Sequence, residues 1–195
     1  MVSLFVNTLI RMFFLLTPFF VMSMFLSMTR TFTHEARRRI VVHTTLAILI
    51  TAFVLFYFGN IIFDLLGITI QSFQIGAGAL LFISAVKLVL GQEAQPQSES
   101  QDIAVVPLAL PLTVGPGTTG TLLVLGAEIT GSKKLVASAA LFVAIMLVGI
   151  LLLLATKLER ILGAKGIGIL TKLTGLVLAA LAAQLIFTGI YNFPH

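Results

Sequence analysis

The sequence predicts an all-α, polytopic membrane protein. Six transmembrane helices are expected as two inverted three-helix repeats, with helices one and four broken. Three observations carry this. Of 195 residues, 58% are hydrophobic and 10% charged, with a mean hydropathy of +1.13. Soluble domains carry about 25% charged residues. Residues 135–156 and 173–191 hold no charge, and a spanning helix needs roughly 20 such residues. Prolines and glycines recur at a constant offset, at matching places in the two halves.

The spans are read in order. The first covers residues 4–28 and contains Thr17-Pro18; without a basic leader or a small-residue cleavage site it reads as an uncleaved helix. The second covers 40–63, after the Arg37-Arg38-Arg39 run. The third covers 68–90, after Gly67. The fourth covers 103–127, the fifth 135–156 and the sixth 173–191. The whole chain, 1–195, reads as a single transmembrane domain. Repeat one is 1–91, a Gln-, Ser- and Glu-rich linker is 91–102, and repeat two is 103–195.

Orientation follows from the basic residues. With the N-terminus outside, the inner side holds Arg30, Arg37, Arg38, Arg39, Lys87, Lys157, Arg160, Lys165 and Lys172. The outer side holds Arg11, Lys133 and Lys134. The positive-inside bias places both termini outside. The net charge of +5 is explained by these loops, so the partner is a lipid bilayer and not nucleic acid.

The fourth span is interrupted by Pro107, Pro111, Gly115, Pro116, Gly117 and Gly120. In hydrocarbon every backbone N–H and C=O needs a partner. Broken backbone survives there only against protein or a watery cavity. Thr17-Pro18 lies 98 residues before Gly115-Pro116. Gly67-Ile68-Thr69-Ile70, followed by Gly76, lies 99 residues before Gly166-Ile167-Gly168-Ile169, followed by Gly175. Three spans per half give the halves opposite orientation, the plan of many secondary transporters.

These residues resemble the MarC (multiple antibiotic resistance) family of bacterial membrane proteins. The resemblance rests on Val106-Pro107-Leu108-Ala109-Leu110-Pro111 with Gly115-Pro116-Gly117. It rests also on Phe63-Asp64-Leu65-Leu66-Gly67-Ile68-Thr69-Ile70, on Phe73-Gln74-Ile75-Gly76-Ala77-Gly78 and on Gln184-Leu185-Ile186-Phe187-Thr188-Gly189-Ile190. It implies a six-span protein of the bacterial inner membrane, related to transporters of small neutral amino acids. Two departures stand out. The family usually has Asn-Pro or Asp-Pro in span one, where this chain has Thr17-Pro18, and often Arg where this chain has Gln74.

The candidate substrate site is Thr17, Pro18, Thr113, Gly115, Pro116, Gly117, Thr118, Thr119 and Gly120. Pro18 lies 12 residues from Arg30 and Pro116 14 from Asp102, so both breaks fall roughly 18 to 21 Å from the inner face. Pro18 is expected to free the carbonyl of Phe14, and Pro116 that of Leu112. The N–H groups of Thr118, Thr119 and Gly120 are expected to open into the break, at the positive end of a helix dipole. Such a site offers carbonyls to an ammonium and N–H groups to a carboxylate.

Arg11 is expected to snorkel or to pair with Asp64 or Glu128. Gln74 and Gln184 bridge helices or face the pathway. The three His residues show no metal spacing, so no metal or cofactor is expected. No acid lies at mid-membrane, which removes an obvious proton carrier and leaves Na⁺ coupling or facilitation. No H-E-x-x-H, G-x-S-x-G or acidic pair marks an enzyme, so no catalytic residue is expected. The expected function is alternating-access transport of a small solute, with neutral amino acids the leading class. The competing reading is a membrane structural or assembly protein. Homo-oligomers are compatible with both.

Overall fold

The computed structural model describes residues 2–91 and 113–193. Pro107, Pro111, Leu112 and the predicted linker beyond Gly91 lie outside these residues. The described chain is helical throughout: α1 (Val2–Leu15), α2 (Pro18–Met28), α3 (His34–Leu66), α4 (Ile70–Leu90), α5 (Pro116–Glu128), α6 (Ser132–Leu153) and α7 (Ala155–Tyr191). Five segments are long and apolar enough to cross a membrane: Val2–Met28, His34–Gly59, Ile70–Leu90, Ser132–Leu153 and Ala155–Tyr191. The first joins α1 and α2 across their break. The 13 residues of α5 span only about 20 Å.

Local chemistry sets the ends. Thr33 accepts from the Ala36 N–H and caps α3, with Glu35 in its positive first turn. Thr69 caps α4 through the Ser72 N–H. Helix α7 bends at Gly163, where φ is 66° and ψ 169°. That backbone is closed to an L side chain, and it separates the first two turns of α7, with Lys157, Glu159 and Arg160, from the long segment that follows.

Packing follows two rules of a bilayer. Large apolar residues face outward: along α3, Val42, Leu46, Ile50, Val54 and Phe58 are 49–57% exposed at four-residue spacing. In water such a stripe is a liability; in lipid it is the outer wall. Small residues face inward and let backbones touch. Gly126 of α5 and Gly59 of α3 lie directly against the Phe56 and Leu123 carbonyls, with no room for a Cβ at either. Helix α5 is thereby held to α3, and it packs on its other side against α4. Helix α4 packs most closely with α7, α1 packs with α6, and α2 rests on α7 and α6. The fully buried core includes Met12, Leu15, Leu16, Met22 and Phe25 of the first span, with Ile145 and Leu152 of α6.

Candidate functional site

Both breaks are helix starts. Helix α2 begins at Pro18 behind Thr17, and α5 begins at Pro116 behind Gly115. Proline suits this position, where an N–H has no intrahelical acceptor. Thr17 adopts φ 47°, ψ 53°, left-handed geometry that is rare for a β-branched residue. Its hydroxyl is buried and has no hydrogen-bond partner. Strain and an orphaned hydroxyl thus coincide at one residue, and such costs concentrate at functional positions.

The Phe14 carbonyl is not freed as expected. The tight turn at Thr17 brings its own N–H to that carbonyl at 3.0 Å. The Leu15 carbonyl is satisfied instead from the second half of the chain: Thr118 Oγ1 donates to it at 3.2 Å, across 103 positions. The end of α1 and the start of α5 therefore touch. The Thr119 N–H already donates to the Gly115 carbonyl at 2.8 Å. It closes the first turn of α5, so the N–H groups ahead of it belong to Gly117 and Thr118.

Beside this contact lies a cavity of 220 Å³ lined by α1, α4, α5 and α7. Each helix presents a short stripe. Helix α1 gives Arg11 and Leu15, α4 gives Gln74 and Leu81, α5 gives Glu128 and Thr121, and α7 gives Gln184 and Thr188 among others. Spacings of four or seven residues put each pair on one helix face. The floor is Leu15, which ends α1, and Thr121, one turn into α5, whose hydroxyl donates to the Gly117 carbonyl at 2.8 Å. Along α5 Glu128 lies about 10 Å above Thr121, and along α1 Arg11 lies about 6 Å above Leu15.

Gln74 is buried at 2% exposure, and its Nε2 donates to Glu128 Oε1. Arg11 Nη2 lies 3.5 Å from Gln184 Oε1. Among the described residues the one ion pair is Glu35–Arg39. The cavity thus holds one cation and one carboxylate, each held by an amide and not by the other.

The predicted site residues divide. Thr17, Pro18, Gly115, Pro116 and Thr118 form the two breaks that meet. Thr113 is fully buried just before the second. Gly117 and Gly120 serve helix packing: a Cβ at Gly117 would lie 2.7 Å from Leu81 Cα, and Gly120 abuts Ala77. Gly117 also has no left-handed φ. The residues that sequence reasoning left outside its site are Arg11, Gln74, Thr121, Glu128, Gln184 and Thr188. Their signal was present as polar residues inside or at the ends of apolar spans. The expected pairing of Arg11 with Asp64 or Glu128 is not formed: Arg11 reaches Gln184, Glu128 lines the same cavity without an ion pair to it, and Asp64 is not in the lining.

Residues 2–193 match the family described as MarC family integral membrane protein. A UPF0056 membrane protein of Aquifex aeolicus is 30% identical, over 97% of this chain and 93% of its own. The UPF0056 membrane protein YhcE of Escherichia coli is 35% identical, over 95% and 91%. The UPF0056 membrane protein MJ1677 of Methanocaldococcus jannaschii is 34% identical, over 91% of each. No solved structure matches. Bacterial and archaeal relatives thus align along nearly the whole chain, and the protein belongs to the MarC family of integral membrane proteins.

Proposed function

We propose that the protein carries a small solute across the bacterial inner membrane, and that the solute binds where the polar cavity meets the two helix breaks. One observation carries the reading. The cavity that holds Arg11, Glu128, Gln74 and Gln184 has as its floor the end of α1 and the first turns of α5. A membrane protein gains nothing in stability from an unpaired cation and carboxylate, and intramembrane charges mark solute pathways.

Small neutral amino acids fit the donor set best. The Arg11 guanidinium offers a fork to a carboxylate. Glu128 and the Gln74 carbonyl oxygen receive an ammonium. The leucines Leu15, Leu81, Leu181 and Leu185 favour a short, uncharged side chain. Helix pairing fits two inverted repeats: α4 meets α7, α3 meets α6, and the contact of α4 with α5 has a counterpart in α7 with α2. In this reading Pro18 and Pro116 are equivalent positions and both termini lie outside. Alternating access follows if each half-helix swings about its break.

The test is uptake into proteoliposomes with a panel of radiolabelled amino acids, each with and without a Na⁺ gradient. Saturable uptake of a small neutral amino acid, blocked by a second one, is expected. Uptake that differs with Na⁺ identifies the coupling. A correctly folded protein that moves none of the panel in either direction refutes the reading and leaves a structural role for the breaks.

A further inference from the structure

Two cations sit at the far ends of the two half-helices, with the same spacing. Arg37, on α3, reaches back eight residues and donates from Nε to the Thr29 carbonyl at 2.9 Å. Its Nη2 donates to the Arg30 carbonyl at 3.1 Å and its Nη1 to Thr156 Oγ1 at 3.1 Å. Lys134, on α6, also reaches back eight residues and donates from Nζ to the Gly126 carbonyl at 3.1 Å. It lies 5.7 and 5.2 Å from the ring centroids of Phe56 and Tyr57. The Tyr57 and Ser138 hydroxyls meet at 2.8 Å, and Ser138 returns a bond to the Lys134 carbonyl.

The acceptors lie at or just past the ends of α2 and α5, where carbonyls run out of intrahelical donors; the Thr29 carbonyl also accepts from the Phe32 N–H at 3.0 Å. A cation at a helix C-terminus also favours the dipole. Both effects are ordinary. The arrangement is not, because α2 and α5 are half-helices whose other ends are the breaks. Each has a break at one end and a cation at the other, beside the Gly126 contact with α3 at the end of α5. Arg37 ties the end of α2 to α3 and α7. Lys134 ties the end of α5 to α6 and α3.

We propose that Arg37 and Lys134 are a pair of positioning residues, one on each membrane face, that hold the half-helices shut and set when each face opens. The inference rests on the transport reading only in calling that opening a transport step. Releasing Arg37 frees the α2 end and admits water from that face. Releasing Lys134 frees the α5 end and admits water from the other. A cap that only stabilised the fold would loosen both faces together.

Thiol labelling tests this without a solute, because the chain has no Cys. Leu26 of α2 and Val124 of α5 are buried at 5% and 1% exposure and stand 98 positions apart, the repeat offset. Each becomes a single-cysteine reporter for an impermeant maleimide, applied from each side of the membrane. Losing hydrogen bonds from a charged donor shifts an opening equilibrium about tenfold or more. Arg37→Gln is therefore expected to raise labelling of position 26 about tenfold while position 124 stays at its native rate. Lys134→Gln is expected to do the reverse. Arg37→Lys and Lys134→Arg keep the charge and serve where a neutral variant does not fold. Arg37→Lys, which cannot reach three acceptors, should show a partial rise at position 26 alone. The proposal is overturned if folded variants leave both reporters at native rates, or if either variant opens both. Uptake by the same variants separates the two readings: face-selective labelling without any transport retains the latches and removes the transporter.

Discussion

Replacing Thr118 by Val tests whether the two breaks hold each other. Valine keeps the volume and the branched Cβ, so packing changes little. It removes the donor that satisfies the Leu15 carbonyl at 3.2 Å. Thr118 is 6% exposed and Leu15 fully buried, so water does not replace the lost bond. An unsatisfied buried acceptor costs about 1–3 kcal/mol. Side-chain bonds between membrane helices measure lower, about 0.6 on average and up to about 1.7 kcal/mol, because the disassembled helices find other partners. The expected loss is therefore about 1–2 kcal/mol, or roughly five- to thirtyfold in the equilibrium between closed and separated halves. Reversible unfolding in mixed micelles gives the free energy. Isotope-edited infrared spectra of a carbon-13 label at the Leu15 carbonyl give the bond itself. The band should move to the frequency of a free carbonyl in Thr118→Val and stay in place in Thr118→Ser. A Thr118→Val protein with native stability and an unmoved band would refute the contact.

Gly126→Ala drives a Cβ into the Phe56 carbonyl and should destabilise by about 3 kcal/mol, whereas Gly76→Ala, with no atom within 4 Å of its Cβ, should unfold like the native protein in the same micelles. Arg11→Met should fold normally, since its bond to Gln184 is long at 3.5 Å, and should weaken the apparent affinity for a transported amino acid about tenfold; native affinity in uptake assays removes Arg11 from the site. Gln184→Glu sets a carboxylate against Arg11 and should stop uptake without loss of fold, because the new pair satisfies the cation internally. In intact cells an impermeant thiol reagent should label a cysteine at Ser132 and spare one at Arg38; the opposite result inverts the orientation drawn from the basic residues.

The breaks were legible because proline chemistry is local. Thr17-Pro18 and Gly115-Pro116 each dictate a helix start without reference to the rest of the chain. The lengths of spans one, three and five were legible for a similar reason, since hydrocarbon thickness sets them, whereas the predicted sixth span is the last part of the 37-residue α7. What local chemistry does not carry is helix rotation. Arg11, Gln74, Glu128 and Gln184 sit in four different spans, and only packing turns their faces toward one cavity. Gly117 shows the same limit from the other side. A glycine at a break reads equally as room for a solute or as room for a helix, and the neighbouring Leu81 backbone decides for the helix. The freed carbonyl also moved by one residue, from Phe14 to Leu15, because Thr17 closes a tighter turn than a straight helix allows.

The cavity's use of amides bears on how it works. An Arg11–Glu128 ion pair would satisfy both charges, and a solute would then have to break it before gaining anything. Gln74 and Gln184 instead hold the charges with neutral partners. The amide bonds already have one ionised partner; an oppositely charged group adds Coulomb attraction in a low-dielectric site, so a zwitterion would exchange each amide contact for a stronger one. The four groups come from four helices, so under the proposed function an arriving solute would replace bonds that tie α4 to α5 and α1 to α7. Binding and the release of those ties would then be one event. That coupling is what a carrier requires, because a ligand shifts a conformational equilibrium only through interactions that differ between the two states.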